Sequence, residues 1–202
     1  MANNSNFQAV SYYTVDTPYQ QEVKKLIASL NTYNVPYHIY SRPNLSSWAQ
    51  NTCQKIDVLQ QAMQDYPDKN IVWIDADAEV KAYPALFNDL MCDFACHIKP
   101  RNLNRPNLRG LCAGTLFIRN CPTMLSFLSL WQQENERGLR QDPRHTDQEG
   151  LYRTLGASQF RYLYFEALPA AYTHIFDDPI SDRFTSVICH YQASRKYKRI
   201  IR

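Results

Sequence analysis

Glycine is scarce in this chain, 5 residues in 202, and no glycine-rich low-complexity tract, internal repeat or interdomain linker is present. No apolar run approaches the ~20 residues that a membrane-spanning helix needs. Residues 1–6 are polar and have neither the basic start nor the apolar core of a secretory leader, so a cytoplasmic location is expected. The 6 cysteines include no C-x-x-C pair, and their spacing fits neither a zinc site nor a disulfide framework. They read as free thiols, mostly buried. Acid is missing from two stretches. Between Phe94 and Gln133 there is none, while Lys99, Arg101, Arg105, Arg109 and Arg119 fall there; after Asp182 the basic residues Arg183, Arg195, Lys196, Lys198, Arg199 and Arg202 are again unopposed. With a net charge of only +3, this unevenness points to a local anionic ligand rather than to a uniformly basic surface.

What is present is ordinary for a globular protein: 45% hydrophobic and 20% charged residues, with tyrosine high at 14. A chain of this length is most simply one domain, able to bury about 70% of its unfolded surface. The apolar pattern alternates strand and helix. Phe7–Tyr13 reads as a strand; Thr17-Pro18-Tyr19-Gln20 combines a helix cap, a proline at the first turn and a glutamine at the capping-box position, ahead of one apolar face of Val23, Leu26, Ile27 and Leu30. Tyr37–Tyr40 is a second strand, and one helix is expected from Ser46 or Ser47 to about Gln64. Pro84–Leu90 reads as a short helix; Asp93–Ile98, Leu111–Ile118, Phe160–Phe165 and Ser186–His190 read as strands. A helix with Leu125, Leu128 and Trp131 follows Pro122, and Thr146-Asp147-Gln148-Glu149 is a capping box that opens another. Lys99–Gly110 is a loop long enough to be functional. The predicted class is α/β, with a mixed, mostly parallel central sheet between helices.

The most informative stretch is Ile71-Val72-Trp73-Ile74-Asp75-Ala76-Asp77, an apolar strand that runs straight into two carboxylates. Ligands of α/β sheets bind beyond the carboxyl ends of the strands, so Asp75 and Asp77 are placed to face one. Hard oxygen ligands of this kind suit Mg²⁺ or Mn²⁺. An isolated D-x-D is equally compatible with two acids that close a strand and cap a turn.

Further residues extend the pattern: Asp16-x-x-Tyr19 after the first strand, Lys55, Ala113-Gly114, Asp147-Gln148, and His190-x-x-Ala193-x-x-Lys196. This order resembles the nucleotide-diphospho-sugar transferases of the GT-A fold, a Rossmann-like three-layer sandwich, and especially the retaining lipooligosaccharide galactosyltransferases and glycogenin. The resemblance spans most of the chain and implies one domain over 1–202, with a nucleotide-binding half at 1–80 and a donor-sugar and acceptor half at 81–202. It implies Mn²⁺ or Mg²⁺ held by Asp75, Asp77 and His190; donor contacts from Asp16, Tyr19, Lys55, Asp75, Gly114 and Lys196; and a role for Asp147 and Gln148 beside the anomeric carbon. A UDP-sugar is the implied donor. The acceptor is open: a glycan, a lipid-linked sugar or, through the basic segments, a modified base in nucleic acid. Two departures stand out, Ala193 in place of the usual glycine of H-x-x-G-x-x-K, and Cys112-Ala113-Gly114 in place of Asn-Ser-Gly.

Two other classes compete. A haloacid-dehalogenase-type phosphatase would use the D-x-D with the late acids Asp177, Asp178 and Asp182, although its motif belongs on a first strand. A noncatalytic nucleotide or nucleic-acid binding module needs no reacting groups at all. A sugar-1-phosphate nucleotidyltransferase is disfavoured, because the chain has no glycine-rich basic loop near its N-terminus.

Overall fold

The computed structural model describes residues 5–45, 47–99, 110–178 and 185–197. A β-α-β unit opens the chain: β1 (Phe7–Thr14), α1 (Tyr19–Thr32) and β2 (Tyr37–Arg42). β2 lies parallel to β1, in register from Ala9 opposite Tyr37 to Thr14 opposite Arg42. Val23, Leu26 and Leu30 form the buried face of α1, and just past its C-cap at Tyr33 stands Asn34, whose φ of 52° is the left-handed conformation that asparagine tolerates after a helix terminus.

Next come α2 (Trp48–Cys53) and α3 (Lys55–Asp65). A single helix is the expectation here, but the chain breaks at Gln54. Its side chain donates to Pro43 O at 3.0 Å and to Asn51 Oδ1 at 3.3 Å, tying the junction to the preceding loop. α3 delivers the chain to β3 (Asn70–Ile74), which pairs with β1 in parallel on the side away from β2.

β4 (Ala78–Val80) follows, then a 3-10 turn over Ala85–Asn88, β5 (Phe94–Ile98), β6 (Leu111–Ile118), α4 (Pro122–Gln141), α5 (Asp147–Leu155) and β7 (Phe165–Ala167). Six strands make one sheet in the order β2-β1-β3-β6-β5-β7. Only β6 runs against the rest, antiparallel to both β3 and β5. The strand expected over 160–165 starts late. Phe160 instead turns into the core, its ring 5.1 Å from that of Phe127, and the Leu163 N–H returns to Phe160 O in a tight turn. Among the described residues a second, three-stranded sheet contains β4, β9 (Ile188–His190) and β8 (His174–Ile175), and α6 (Ser194–Tyr197) comes last. Residues 100–109 of the expected loop, residues 179–184 with Asp182, and residues 198–202 lie outside the described residues.

The continuous apolar run of β3 covers both faces of the sheet, because side chains alternate along a strand. Ile71 and Trp73 pack with α3 and α4 through Ile56, Leu59, Phe127 and Trp131. Val72 and Ile74 pack the other way, against Leu26 and Leu30 of α1 and against Val80 and Ile188 of the small sheet. The result is three layers: α3, α4 and α5, then the main sheet, then α1 with the small sheet. Each fully buried leucine, isoleucine or phenylalanine of these two cores contributes about 1.5–3 kcal/mol relative to exposure.

Candidate active site

The site lies where the chain passes from one sheet to the other. At the end of β3 the Asp75 N–H still donates to Gly114 O of β6, at 2.9 Å; the Ala78 N–H then folds back to Asp75 O at 3.0 Å, and β4 departs to pair with β9. Asp75 and Asp77 occupy this turn. β9 runs antiparallel to β4 with His190 opposite Ala78, which brings the imidazole over the same turn. A metal-ligating atom from each of Asp75, Asp77 and His190 lies within 4.8 Å of the others.

Each of these side chains is gripped by the protein. Asp75 Oδ1 accepts the Trp73 Nε1–H at 2.7 Å and lies 3.3 Å from Lys55 Nζ. Asp77 Oδ2 accepts the Ala193 N–H at 2.6 Å. His190 Nε2 lies 2.8 Å from Thr115 Oγ1. Burial, reinforced by the charge of Asp75, raises the Asp77 carboxyl to about 6. Burial lowers His190 to about 4 despite the attraction of Asp75, so its ring is neutral at pH 7. Two carboxylates and a neutral imidazole are a donor set for a divalent cation. Gly114 keeps the space between them open: a Cβ there would stand 2.9 Å from His190 Cε1 and 3.3 Å from Asp75 Oδ2.

Lys55 is buried, and its Nζ reaches three acceptors, Asp147 Oδ2 at 2.6 Å, Ala113 O at 3.0 Å and Asp75 Oδ1 at 3.3 Å. The same ammonium lies 5.0 Å from the centre of the Trp73 ring. Burial disfavours its charged form, but Asp147 and Asp75 hold its pKa above the ordinary lysine value. Burial also pushes the Asp147 carboxyl up, against the pull of Lys55. Asp147 sits in the first turn of α5 after the Thr146–Glu149 capping box, and its backbone carbonyl accepts the Trp131 Nε1–H at 2.7 Å. The neighbouring Gln148 is exposed.

These groups line one cleft of about 370 Å³, with Tyr12, Tyr13, Tyr19 and Trp48 on its N-terminal wall and Gln192 and Ser194 at its C-terminal edge. Of the residues singled out from sequence, Tyr19, Lys55, Asp75, Asp77, Gly114, Asp147 and Gln148 line it. His190 stands behind Gly114. Asp16 is exposed, at φ 57°, in the turn before α1 and does not line the cleft. Lys196 does not line it either; its Nζ lies 5.1 Å from the centre of the Tyr197 ring. The backbone at Ala193 needs no glycine, because the left-handed residue of that turn is Gln192, at φ 55°. Asp177 pairs with Arg195 and Asp178 with Lys99, so neither joins Asp75 and Asp77 as a phosphatase site would require.

Sequence reasoning passed over Thr115, Trp73, Trp48 and Gln192. Two of them left a signal. Thr115 is a hydroxyl inside an apolar run, and Trp73 is an indole two residues before Asp75 on the same face of the strand, where a buried N–H seeks an acceptor.

No protein-family signature matches the sequence, and no curated protein matches it. Solved structures do. A glycosyltransferase involved in the glycosylation of the major capsid of PBCV-1 aligns over 96% of this chain and 98% of its own, at TM-score 0.69 and 15% identity. The glycosyltransferase GlyE of Streptococcus pneumoniae TIGR4 aligns over 92% of this chain at TM-score 0.61 and 15% identity, this chain matching 55% of that longer one. The galactosyltransferase LgtC, solved with donor and acceptor sugar analogues, aligns over 92% of this chain and 87% of its own, at TM-score 0.56 and 11% identity. The chain has the GT-A fold. In GT-A terms the D-x-D turn, β9 and the start of α5 stand at the carboxyl-terminal edge of the parallel strands, where open α/β sheets bind their ligands. No helix among the described residues is long and apolar enough to cross a membrane.

Proposed function

We propose that this protein is a metal-dependent glycosyltransferase that moves a sugar from a nucleotide-diphosphate donor, with a UDP-sugar as the best fit, and that transfer proceeds with retention. One observation carries the reading. The cation-binding set Asp75, Asp77 and His190 is joined to the buried pair Lys55–Asp147 through the contact of Lys55 with Asp75, and Asp75, Asp77, Lys55 and Asp147 line the same cleft. A cleft of about 370 Å³ lies within the size range of small-molecule sites.

Asp75, Asp77 and His190 would hold Mn²⁺ or Mg²⁺, the imidazole favouring Mn²⁺. When bound, such an ion supplies Lewis-acid stabilisation of the charge that develops on a diphosphate leaving group. The remaining work falls to the chain's own residues. The aromatic wall of Tyr13, Tyr19 and Trp48, in the 1–80 half, takes the nucleoside, with Asp16 at its edge. Gly114, lacking a side chain, leaves room for the donor sugar beside Asp75. Asp147, fixed by its ion pair with Lys55, presents a held negative charge towards the anomeric centre, and the exposed Gln148 amide reaches the same region. A carboxylate clamped by an ammonium suits electrostatic stabilisation better than free nucleophilic attack. Lys196 follows the cleft-lining Ser194 on α6 and is assigned to the diphosphate. The acceptor is anionic in this reading, drawn by the basic segments, although Lys99 and Arg195 already pair with Asp178 and Asp177.

The test is release of nucleotide diphosphate from a panel of UDP-, GDP- and dTDP-sugars with Mn²⁺, with and without EDTA. Metal-dependent release from one donor is expected and names the sugar. Tight nucleotide binding without turnover would favour a noncatalytic binding module, and the absence of both nucleotide release and metal-dependent nucleotide binding would overturn the proposal.

A further inference from the structure

Thr115 is the fully buried hydroxyl beside the cation-binding set. It lies in β6 just before the apolar Leu116-Phe117-Ile118, opposite Ile74 of β3, and its Oγ1 is 2.8 Å from His190 Nε2. Thr115 and His190 are 0% and 2% exposed, so water does not compete for this contact and breaking it would strand a buried polar atom on each side.

The two edges of the His190 ring therefore face different surroundings. The Nε2 edge faces the Thr115 hydroxyl. The Cε1–Nδ1 edge faces the open space at Gly114, where a Cβ would stand 3.0 Å from Nδ1 and 3.3 Å from Asp75 Oδ2. Turning the ring half-way round would set a carbon against the Thr115 hydroxyl and leave that hydroxyl without a partner.

We infer that Thr115 is a positioning residue: its Oγ1 accepts the Nε2–H of His190, holding the ring in the tautomer and orientation that present Nδ1 to a cation shared with Asp75 and Asp77. The inference rests on the metal-dependent reading proposed above and deepens it. Which imidazole nitrogen binds a metal is set by the hydrogen bond that the other one makes. The two carboxylates follow the same plan, since Asp75 Oδ1 is held by Trp73 and Lys55, and Asp77 Oδ2 by the Ala193 backbone. The three grips come from β3 with α3, from β6, and from the turn after β9, so the ligands are ordered by the fold before any ion arrives. Threonine suits the place twice over, as a β-branched residue that fits a strand and as a hydroxyl whose rotamer that branching restricts.

The test compares the full-length chain with its Thr115→Val and Thr115→Ser variants. Mn²⁺ affinity is measured by calorimetry without nucleotide, and the liganding nitrogen is identified by ¹⁵N-imidazole NMR on protein loaded with diamagnetic Zn²⁺. Thr115→Val, which removes the hydroxyl at nearly constant shape, is expected to weaken Mn²⁺ binding by roughly 10–100-fold, and Thr115→Ser to stay within about threefold of wild type. In wild type, Zn²⁺ is expected on Nδ1 with the proton on Nε2. Unchanged affinity in a folded Thr115→Val protein, or Zn²⁺ on Nε2 in wild type, overturns the inference while leaving the metal-dependent function standing. Absence of any divalent-cation binding in wild type removes both. If Thr115→Val does not fold, the Thr115→Ser affinity and the wild-type nitrogen assignment decide.

Discussion

Lys55 Nζ lies 2.6 Å from Asp147 Oδ2, joining a residue of α3 to the first turn of α5 beneath the cleft. The same ammonium also approaches Asp75, so one buried cation serves two carboxylates that reach the site from different layers of the fold. Breaking a buried ion pair by removing one partner leaves uncompensated charge. Lys55→Met is therefore expected to destabilise the protein by roughly 3–5 kcal/mol. Urea denaturation at neutral pH checks this, and a loss below about 1 kcal/mol would mean that the pair is solvated in solution.

Asp77 is a different case. Burial and the charge of Asp75 already disfavour its ionised form, and its hydrogen-bonded contact is with a backbone N–H that an asparagine oxygen can also accept. Asp77→Asn should abolish metal-dependent nucleotide release while leaving the unfolding midpoint of the metal-free protein unchanged or slightly raised. A variant that unfolds would assign Asp77 a structural role instead.

At Gly114 the constraint is steric. A Cβ would meet His190 Cε1 at 2.9 Å and Nδ1 at 3.0 Å, and the ring is held from behind by Thr115, so it has little freedom to retreat. Overpacking of this kind costs about 1–3 kcal/mol. Gly114→Ala is expected to lower stability within that range and to weaken Mn²⁺ binding; calorimetry showing wild-type affinity would place the cation elsewhere.

A pH effect arises away from the cation site. His145 is buried against Gly138, and burial lowers its pKa below 6.5 despite the nearby Glu149. Its folded form holds the proton less tightly than its unfolded form. The stability it contributes is thus fully present above its unfolded pKa of about 6.5 and is lost as pH falls through the folded value. Urea midpoints taken at about pH 7.5 and about pH 5.5 should fall more in wild type than in His145→Gln. Equal falls would show that other groups drive the acid sensitivity.

The legibility of this protein divides along a physical line. Helix starts and strand runs depend on local chemistry, so β1, α1, β5 and β6 lie close to where periodicity places them. The broken helix at Gln54 and the late start of β7 do not, because each depends on a long-range partner: Gln54 on the carbonyl of Pro43, and Phe160 on the ring of Phe127. Lys55 shows the same limit at the site. Its place in the ordered series of polar residues was readable, but its commitment to Asp147 and Asp75 follows only from the packing of α3 against β3 and α4, which brings its first residue to the start of α5.

By itself, the sequence determined the alternation of buried and exposed residues and the acid pair that ends β3, since these depend on side-chain chemistry and spacing along one chain. Only the tertiary structure decided that β4 leaves the main sheet to meet β9, which sets His190 over Asp75 and Asp77 across more than a hundred intervening residues. It also decided that Thr115, an unremarked hydroxyl in an apolar strand, faces the imidazole. Convergence of this kind depends on which strands pair, and pairing is settled by the joint burial of both faces of the sheet rather than by any single segment.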